Sequence, residues 1–474
     1  MADRHLGEQL VERKAVTEEQ LGEALARQRM HGGRLGNNLV ACGFLSEEEL
    51  DAFFHQVPLS PKSLDETGLD FSFVFDLAMK HAAQLGSFSL GQLSDGLKLP
   101  VTLIEPVLEE MRKKHYLEVK GASSLTKASW TFTVSEKGKG YATELRSACR
   151  YAGPAPVTLD AYRRQVEQQT IKSIMVGQEA VSEAFRELIV GSEMLSRLGP
   201  AISSGRSIFL YGPPGNGKTT VAEAIGELLP DHIYIPHALL VGGEIINLYD
   251  PVSHRLAPAE EASEEKVDRR WLHIRRPVIM VGGEFTLDML NLDFNPIAKF
   301  YQGSLQLKAN NGLFIVDDFG RQQMDPQNLL NRWIVPLERR TDFLSLHTGM
   351  KFEIPFDQLV IFSTNIEPEE LVDEAFLRRI RYKIMIDHPS LDEYEQIFRR
   401  VCSSNGIEFR EEVFEHLLEN YYDRLDVRLN ACHPRDIVDH LIDDAHYRGE
   451  PPLMTVGAIA DAWKSYFVTG SDRT

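Results

Sequence analysis

The sequence is poor in cysteine and lacks any long hydrophobic run. Only four cysteines occur among 474 residues, and none of them forms a CxxC pair: Cys42, Cys149, Cys402 and Cys432. This scarcity argues against a disulfide framework and against a cysteine-type zinc site, and it fits a reducing cytoplasm. No apolar run approaches the length of a membrane span, and the first residues carry no apolar signal-peptide segment. We therefore expect a cytoplasmic protein without direct membrane insertion.

Basic residues are also in short supply. The chain has 51 lysines and arginines against 70 aspartates and glutamates, a formal net charge of −19. Such a chain is unsuited as a whole to non-specific binding of nucleic acid or of membrane surfaces. The segment 112–150 departs from this balance, because it holds nine basic and three acidic residues. The apolar fraction of 43% is that of a folded protein, and the length suggests about three domains.

Residues 1–60 contain a tandem repeat. The stretch HLGEQLVERKAVTEEQLGEAL aligns with RLGNNLVACGFLSEEELDAFF at an offset of 29 residues. Each copy predicts two short helices. The segments Thr17–Gln20 and Ser46–Glu49 have the capping-box pattern, in which a hydroxyl and a side chain three residues later satisfy early helix N–H groups. We predict a small helical repeat domain whose leucines pack against each other.

The remaining sequence divides into three predicted parts. Residues 62–150 suggest three helices and a β-ribbon, which is the plan of a winged-helix domain. The stretch Tyr151–Val157 (YAGPAPV) has the composition of a linker. Residues 157–389 alternate strands and helices, which predicts an α/β domain with a parallel sheet. Residues 390–470 carry only helical patterns and predict an all-α lid.

A phosphate-binding loop follows the short apolar strand SIFL. The loop matches the Walker A pattern GxxxxGK[ST] and precedes a helical pattern. Its glycines allow torsions that turn several N–H groups toward one anion, and the helix N-terminus adds its dipole. Lys218 supplies a charge near the β- and γ-phosphates, and the Thr219 hydroxyl is suited to Mg²⁺. The predicted nucleotide-binding residues are Gly212, Pro213, Pro214, Gly215, Asn216, Gly217, Lys218, Thr219 and Thr220.

A second predicted part of this site is the strand LFIV, which ends in Asp317 and Asp318. Carboxylates at the carboxyl end of a buried strand lie where α/β sheets place their ligand chemistry. We predict that Asp317 and Thr219 hold Mg²⁺ and that Asp318 orients or deprotonates the attacking water. The alternative for the pair is an ordinary Asp-Asp turn after a core strand.

In these motifs and their order, residues 157–450 resemble an AAA+ ATPase, nearest to the MoxR-like, magnesium-chelatase-like and helicase-like groups. The segment Gly303–Asp318 resembles the family's approach to the Walker B motif. LVIFSTN, ending at Asn365, resembles sensor 1. DEAFLRRI resembles the segment that carries the arginine finger, with Arg379 favoured over Arg378. Arg435, in CHPRDI, resembles sensor 2.

The resemblance implies ATP and Mg²⁺ as ligands and hydrolysis in a homo-oligomeric ring, expected to be hexameric, that remodels or regulates a partner. A finger acting in trans requires a neighbouring subunit. The arginines also have plainer interpretations, as a solvated pair on a helix end and as an ion-pair partner of Asp436 or Asp439. Asp318 stands where the family has Glu. Because this shorter side chain moves its carboxylate by about 1 Å, turnover is expected to be slow.

The repeat at residues 1–60 resembles the N-terminal domain of type II secretion and type IV pilus assembly ATPases, which implies an envelope-associated partner. Some members of that group bind cyclic di-GMP through "arginine-leucine-glycine" repeats. Here Arg34 is present, but His5 stands in its place in the first copy. We therefore expect a docking domain in preference to a cyclic di-GMP site.

Two alternatives concern the middle of the chain. The predicted winged helix could bind DNA and make the protein a slow ATP-dependent regulatory switch. Its predicted recognition helix, 101–116, carries three acidic residues that disfavour this role and three basic residues that favour it: Glu105, Glu109 and Glu110 against Arg112, Lys113 and Lys114. A non-catalytic scaffold held together by ATP is the other alternative.

The long insert between the Walker motifs has two VGGE segments. Three of its aromatic residues, Tyr249, Phe300 and Tyr301, are candidates for substrate contact, with a plain core role the more expected reading.

Overall fold

A computed structural model gives the fold of the chain. The structure describes residues 7, 10–11, 15–32, 35–46, 49–50, 57–122, 130–174, 176–229, 232–258, 267–371 and 377–467.

The N-terminal repeat forms short helices, α1 (Glu18–His31) and α2 (Leu35–Ala41). The predicted capping box of α1 is present, since Thr17 Oγ1 accepts from the Gln20 N–H at 3.2 Å and Gln20 Oε1 accepts from the Thr17 N–H at 2.9 Å. Leucines from both copies share one buried cluster: Leu10, Leu35, Leu39, Leu45 and Leu50. His5 and Arg34, on which the cyclic di-GMP question depends, lie outside the described residues.

The second part combines helices with a small antiparallel sheet. Its elements are α3 (Leu64–Thr67), α4 (Phe71–Leu85), β1 (Ser87–Phe88), α5 (Leu90–Leu97), α6 (Val101–Lys113), β2 (Leu117–Ala122), β3 (Trp130–Val134) and α7 (Glu136–Ala148). The strands pair antiparallel in the order β1-β3-β2. The apolar positions of α4, α5 and α6 face a common core.

The stretch 151–157 is packed, unlike the linker that its composition predicts. Tyr151 and Ala155 are buried in the core of the second part, and that core also includes Ala238 and Ile245 from the later α/β region. The Tyr151 hydroxyl donates to the Pro154 carbonyl at 2.8 Å. Proline and glycine favour a turn here, but the surrounding apolar surface fixes the turn in place.

The α/β region begins with β4 (Val157–Thr158) and contains most of the strands. Its elements up to the second Walker motif are α8 (Leu159–Gln168), α9 (Gln178–Ala184), α10 (Ser192–Ser203), β5 (Ile208–Tyr211), α11 (Lys218–Glu227), β6 (His232–Pro236), β7 (Ala238–Val241), β8 (Glu244–Asn247), β9 (Trp271–Arg275), β10 (Val278–Val281), β11 (Asp293–Asn295), β12 (Phe300–Gln302), α12 (Leu305–Lys308) and β13 (Leu313–Val316). The elements that follow are α13 (Pro326–Arg339), β14 (Thr341–Ser345), β15 (Lys351–Pro355), β16 (Leu359–Thr364), α14 (Pro368–Leu371) and β17 (Tyr382–Met385).

The predicted parallel sheet is present in the order β10-β13-β16-β5-β17, and all four strand pairs are parallel. Strands β13 and β16 are buried along their whole length, as expected for a sheet covered on both faces. This order brings the carboxyl ends of β5, β13 and β16 to one edge, where the predicted site residues follow them.

A second five-stranded sheet, ordered β11-β12-β8-β7-β4, is built largely from the insert between the Walker motifs. Its edge strand β4 pairs in parallel with β7. Strands β6 and β9 form a separate antiparallel pair. Because Ala238 and Ile245 of this sheet enter the core of the second part, the insert and that part share apolar packing.

The C-terminal part is helical, as predicted. It comprises α15 (Leu391–Ser404), α16 (Glu411–Leu417), a π-helical stretch (Leu418–Asp423), α17 (His433–Arg448) and α18 (Val456–Tyr466). In the described chain beyond Met385, strands are absent. Its own core includes Tyr394, Phe398, Leu417, Ile437 and Trp463. None of the helices that the structure describes is long and apolar enough to cross a membrane.

Candidate functional site

The predicted phosphate loop connects β5 to α11 with an unusual backbone. Gly212, Gly215 and Gly217 have φ values of +134°, +80° and +84°. At Gly212 a Cβ atom would lie 2.2 Å from the Ile386 carbonyl oxygen, so a larger residue cannot occupy this position without a backbone shift. Gly217 is the N-cap of α11, and the helix begins at Lys218. The loop thus ends at a helix N-terminus, where unpaired N–H groups favour an anion.

Lys218 lies folded over this loop. Its Nζ donates to the Gly212 carbonyl at 3.0 Å and to the Pro213 carbonyl at 2.8 Å. The side chain is buried, and this burial lowers the lysine pKa, an effect that the carboxylates of Asp317 and Asp318 oppose. The Lys218 ammonium is therefore held within the loop, at the place where a bound phosphate would lie.

Thr219 and Asp317 come together although they are 98 residues apart in sequence. The Thr219 hydroxyl donates to Asp317 Oδ2 at 2.9 Å. The Asp317 N–H donates to the Val281 carbonyl at 2.8 Å, which anchors the end of β13 to the neighbouring strand β10. A hydroxyl and a carboxylate are hard oxygen ligands of the kind that Mg²⁺ prefers. This pair fits a magnesium ion bound together with nucleotide phosphates.

Asp318 turns away from its neighbour. Its φ of +47° lies in the left-handed region, which Asp and Asn tolerate better than most residues. The exposed carboxylate accepts a hydrogen bond from Asn365 Nδ2 at 3.2 Å. The predicted water-orienting carboxylate and the predicted sensor 1 amide are therefore in contact at the same sheet edge.

Gln322 supports both aspartates through their backbone. Its Nε2 donates to the carbonyls of Asp317 and Asp318 at 3.0 and 3.1 Å, and its Oε1 accepts from the Gly320 N–H at 2.8 Å. No motif in the sequence points to Gln322. A glutamine four residues after an aspartate is too common a spacing to signal a role without the turn that brings them together.

A cavity of about 530 Å³ adjoins the phosphate loop. Its walls come from α10 and the segment before it, from the loop and α11, and from the lid. The lining includes Asn216 of the loop, Val221 of α11, and Ile386, His388 and Ala431. Ile189, Val190 and Met194 form an apolar wall. A mixed apolar and polar cavity beside a phosphate loop has a suitable size and chemistry for a nucleoside.

The predicted arginines occupy different surroundings. Arg435 is exposed in the first turn of α17. Arg379 Nε donates to Glu338 Oε1 of α13 at 2.5 Å, and the neighbouring Arg378 is exposed. The residues 373–376, which precede this pair in the predicted finger segment, lie outside the described part of the chain. The roles proposed from sequence therefore stay predictions for all three arginines, Arg378, Arg379 and Arg435.

The aromatic candidates of the insert have packing roles. Tyr301 is buried in the core of the second sheet, Phe300 packs edge-on against Tyr151, and Tyr249 stacks on His254. Gly242 and Gly243 form the turn between β7 and β8, both with positive φ. These positions agree with the plain structural interpretation of the aromatic residues and of the first VGGE segment.

Comparison with known proteins gives a sequence family, a curated relative and structural neighbours. The family described as "Domain of unknown function (DUF8689)" matches residues 390–465. Spastin of Anopheles gambiae is 21% identical over 250 residues, which are 52% of this chain and 24% of spastin. The chain thus spans about a quarter of that relative's length.

Two solved structures are similar at lower identity. The Thermotoga maritima RuvB Holliday junction branch migration motor is 14% identical with a TM-score of 0.33, covering 64% of this chain and 73% of RuvB. NtrX of Brucella abortus is 14% identical with a TM-score of 0.35, covering 59% of this chain and 57% of NtrX.

Proposed function

We propose that the protein is an AAA+ ATPase that binds ATP with Mg²⁺ between its phosphate loop and its helical lid and hydrolyses it in an oligomeric ring. The observation that carries this proposal is the hydrogen bond between Thr219 and Asp317. It joins the end of the glycine loop to the end of β13, which is the relation that a shared magnesium and phosphate site needs.

The residues divide the work of binding. The N–H groups of the loop and the α11 N-terminus face the phosphates, and Lys218 exchanges its contacts with the Gly212 and Pro213 carbonyls for phosphate oxygens. Thr219 and Asp317 would hold Mg²⁺, which supplies neutralisation of the phosphate charge when bound. The cavity beside Asn216 accommodates the nucleoside.

Asp318 and Asn365 would act on the water. A carboxylate in contact with an amide presents an acceptor and a donor to one water molecule, which orients it toward the γ-phosphate. Arg435 from the lid and Arg379 from a neighbouring subunit would stabilise the charge of the transferring group. Because Asp318 is shorter than the usual Glu, we propose slow turnover.

The work of the ATPase would be the remodelling or regulation of a protein partner. We propose that residues 1–60 dock that partner, in keeping with their resemblance to the N-terminal domain of secretion and pilus ATPases.

The rival DNA-binding role gains no support from α6. Glu105 is half-buried, Pro106 is exposed, and Glu109 pairs with Arg112 at 3.2 Å. Acidic groups at this surface would oppose the approach of DNA phosphates.

Replacement of the loop lysine tests the site. Lys218→Ala should weaken binding of a fluorescent ATP analogue by about 10- to 100-fold, because a charge-assisted hydrogen bond contributes about 1.5–3 kcal/mol. Lys464→Ala, which removes an exposed lysine of α18, is the matched control and should bind as the wild type does. Unchanged affinity in Lys218→Ala would contradict the assignment of this loop.

A further inference from the structure

The two residues that precede the lid helix α17 contact the phosphate loop directly. The Cys432 N–H donates to the Gly215 carbonyl at 2.9 Å, and the Ala431 N–H donates to Asn216 Oδ1 at 3.0 Å. The approach is close, because a Cβ atom on Gly215 would lie 2.7 Å from Cys432 Sγ. Two hydrogen bonds thus connect the nucleotide loop to the segment in which α17 begins.

Asn216 provides the side-chain half of this connection. Since its partner is a backbone N–H, only the oxygen of the amide can face Ala431, which fixes the orientation of the side chain. The residue is 7% exposed, and its Nδ2 is buried without a hydrogen-bond partner in the described structure. Asn216 and Ala431 also line the same cavity. A buried donor without a partner costs free energy, which indicates a role for Asn216 in the site and not in stability.

Hydrogen bonds within the lid fix the residues around 431–432 to the rest of the lid. The Tyr422 hydroxyl is 2.9 Å from His433 Nδ1 and 2.6 Å from the Tyr394 hydroxyl. His388 Nδ1 lies 2.8 Å from the Leu429 carbonyl. Burial lowers the pKa of His433 to about 4, so its ring is neutral near pH 7 and can accept from Tyr422. A displacement of residues 431–432 therefore carries the start of α17, with Arg435, along with it.

We propose that Asn216 is a positioning residue that makes the closure of the lid over the cavity depend on the conformation of the phosphate loop. This inference rests on the proposed function, since it takes the cavity as the ATP site. When the loop adapts to phosphates, Asn216 moves the Ala431 amide with it and brings Arg435 to its working position. If the Asn216 oxygen is removed, the Cys432–Gly215 hydrogen bond is the one that remains of these two contacts between lid and loop.

The test uses the full chain with Asn216→Ala and the matched control Asn405→Ala. Asn405 lies in the same lid, is exposed, and donates only within its own helix end, to the Val401 carbonyl at 2.9 Å. We expect Asn216→Ala to raise the KM for ATP about fivefold, as expected for a lost hydrogen bond, with a smaller fall in kcat. The control should keep both constants. Asn216→Thr, which retains an oxygen acceptor, should fall between Asn216→Ala and the wild type.

Hydrogen–deuterium exchange supplies a readout that does not need activity. In the protein without nucleotide, a peptide covering residues 429–436 should exchange faster in Asn216→Ala than in the wild type or the control. ATP should slow this exchange in the wild type and much less in Asn216→Ala. Equal exchange and equal KM in wild type and Asn216→Ala would overturn the inference. A wild type that binds no ATP would instead contradict the proposed function, while the exchange of the free protein would still test the contact.

Discussion

At the scale of single residues, the adjacent carboxylates Asp317 and Asp318 differ because their backbones differ. Asp317 ends strand β13 and is held against Thr219, whereas Asp318 enters the left-handed region and reaches Asn365. The change of backbone torsion between the two residues thus directs Asp317 toward the proposed magnesium site and Asp318 toward the proposed position of the attacking water. The left-handed torsion also gives a reason for Asp in place of Glu, since short polar side chains tolerate it best.

Asp318→Asn should separate binding from turnover. Asn tolerates the same torsion, so the thermal midpoint should change little, and affinity for ATP should be retained. Loss of the carboxylate should lower phosphate release at least about tenfold, because general-base groups contribute about 10²–10⁴-fold. Thermal unfolding, nucleotide titration and phosphate release on the same sample measure the three quantities. Equal phosphate release in both proteins would support the non-catalytic scaffold.

At the scale of elements, predictions succeeded where one local interaction decides the structure. A few neighbouring residues are enough to determine each of three features: the glycine loop, the apolar strands β13 and β16, and the capping box at Thr17. The second sheet could not be predicted in this way, because its β4–β7 pairing joins Val157 to Leu239 across the chain. The cavity likewise takes its walls from three distant segments, and the burial of Tyr151 depends on an insert whose packing no local pattern reports.

Helix α7 offers a matched pair of glycines for a test of packing. A Cβ at Gly138 would lie 2.3 Å from the Tyr116 carbonyl oxygen, whereas a Cβ at Gly140 would have no atom within 4 Å. Gly138→Ala should therefore lower the free energy of unfolding by about 1–3 kcal/mol through overpacking. Gly140→Ala should raise it by about 0.5–1 kcal/mol through helix propensity. Chemical denaturation of the two variants measures both values. A gain in stability from Gly138→Ala would mean that α7 does not approach Tyr116 so closely.

At the scale of the whole molecule, the parts of the chain are joined by packing as well as by sequence. The Arg269 guanidinium pairs with Asp95 at 2.8 Å, and the Arg150 N–H donates to the Ala298 carbonyl at 2.9 Å. Both contacts connect the second part with the insert that lies between the Walker motifs. A movement of the insert during the proposed ATPase cycle would therefore be passed to the second part, because residues 151–157 are packed and do not form a flexible joint.

A ring in which Arg379 acts on the neighbouring site makes a quantitative prediction for mixed subunits. Arg379→Ala should bind ATP normally but hydrolyse it slowly. Lys218→Ala should bind ATP about 10- to 100-fold more weakly, so at low ATP concentration its own sites contribute little hydrolysis. In an equimolar mixture, the Arg379→Ala subunits provide intact sites and the Lys218→Ala subunits provide intact fingers. Random assembly then restores about a quarter of the interfaces, and phosphate release should rise to a matching fraction of the wild-type rate.

Arg381→Ala is the control for this mixture, because Arg381 is also exposed and lies two residues further on. That variant alone should hydrolyse ATP at the wild-type rate. The Arg379–Glu338 ion pair must open for the finger to reach a neighbour, and a partly exposed pair of this kind costs only about 0–1 kcal/mol to break. Assembly can therefore release Arg379 at little cost. Mixtures that assemble but regain no activity would place the stabilising arginine elsewhere.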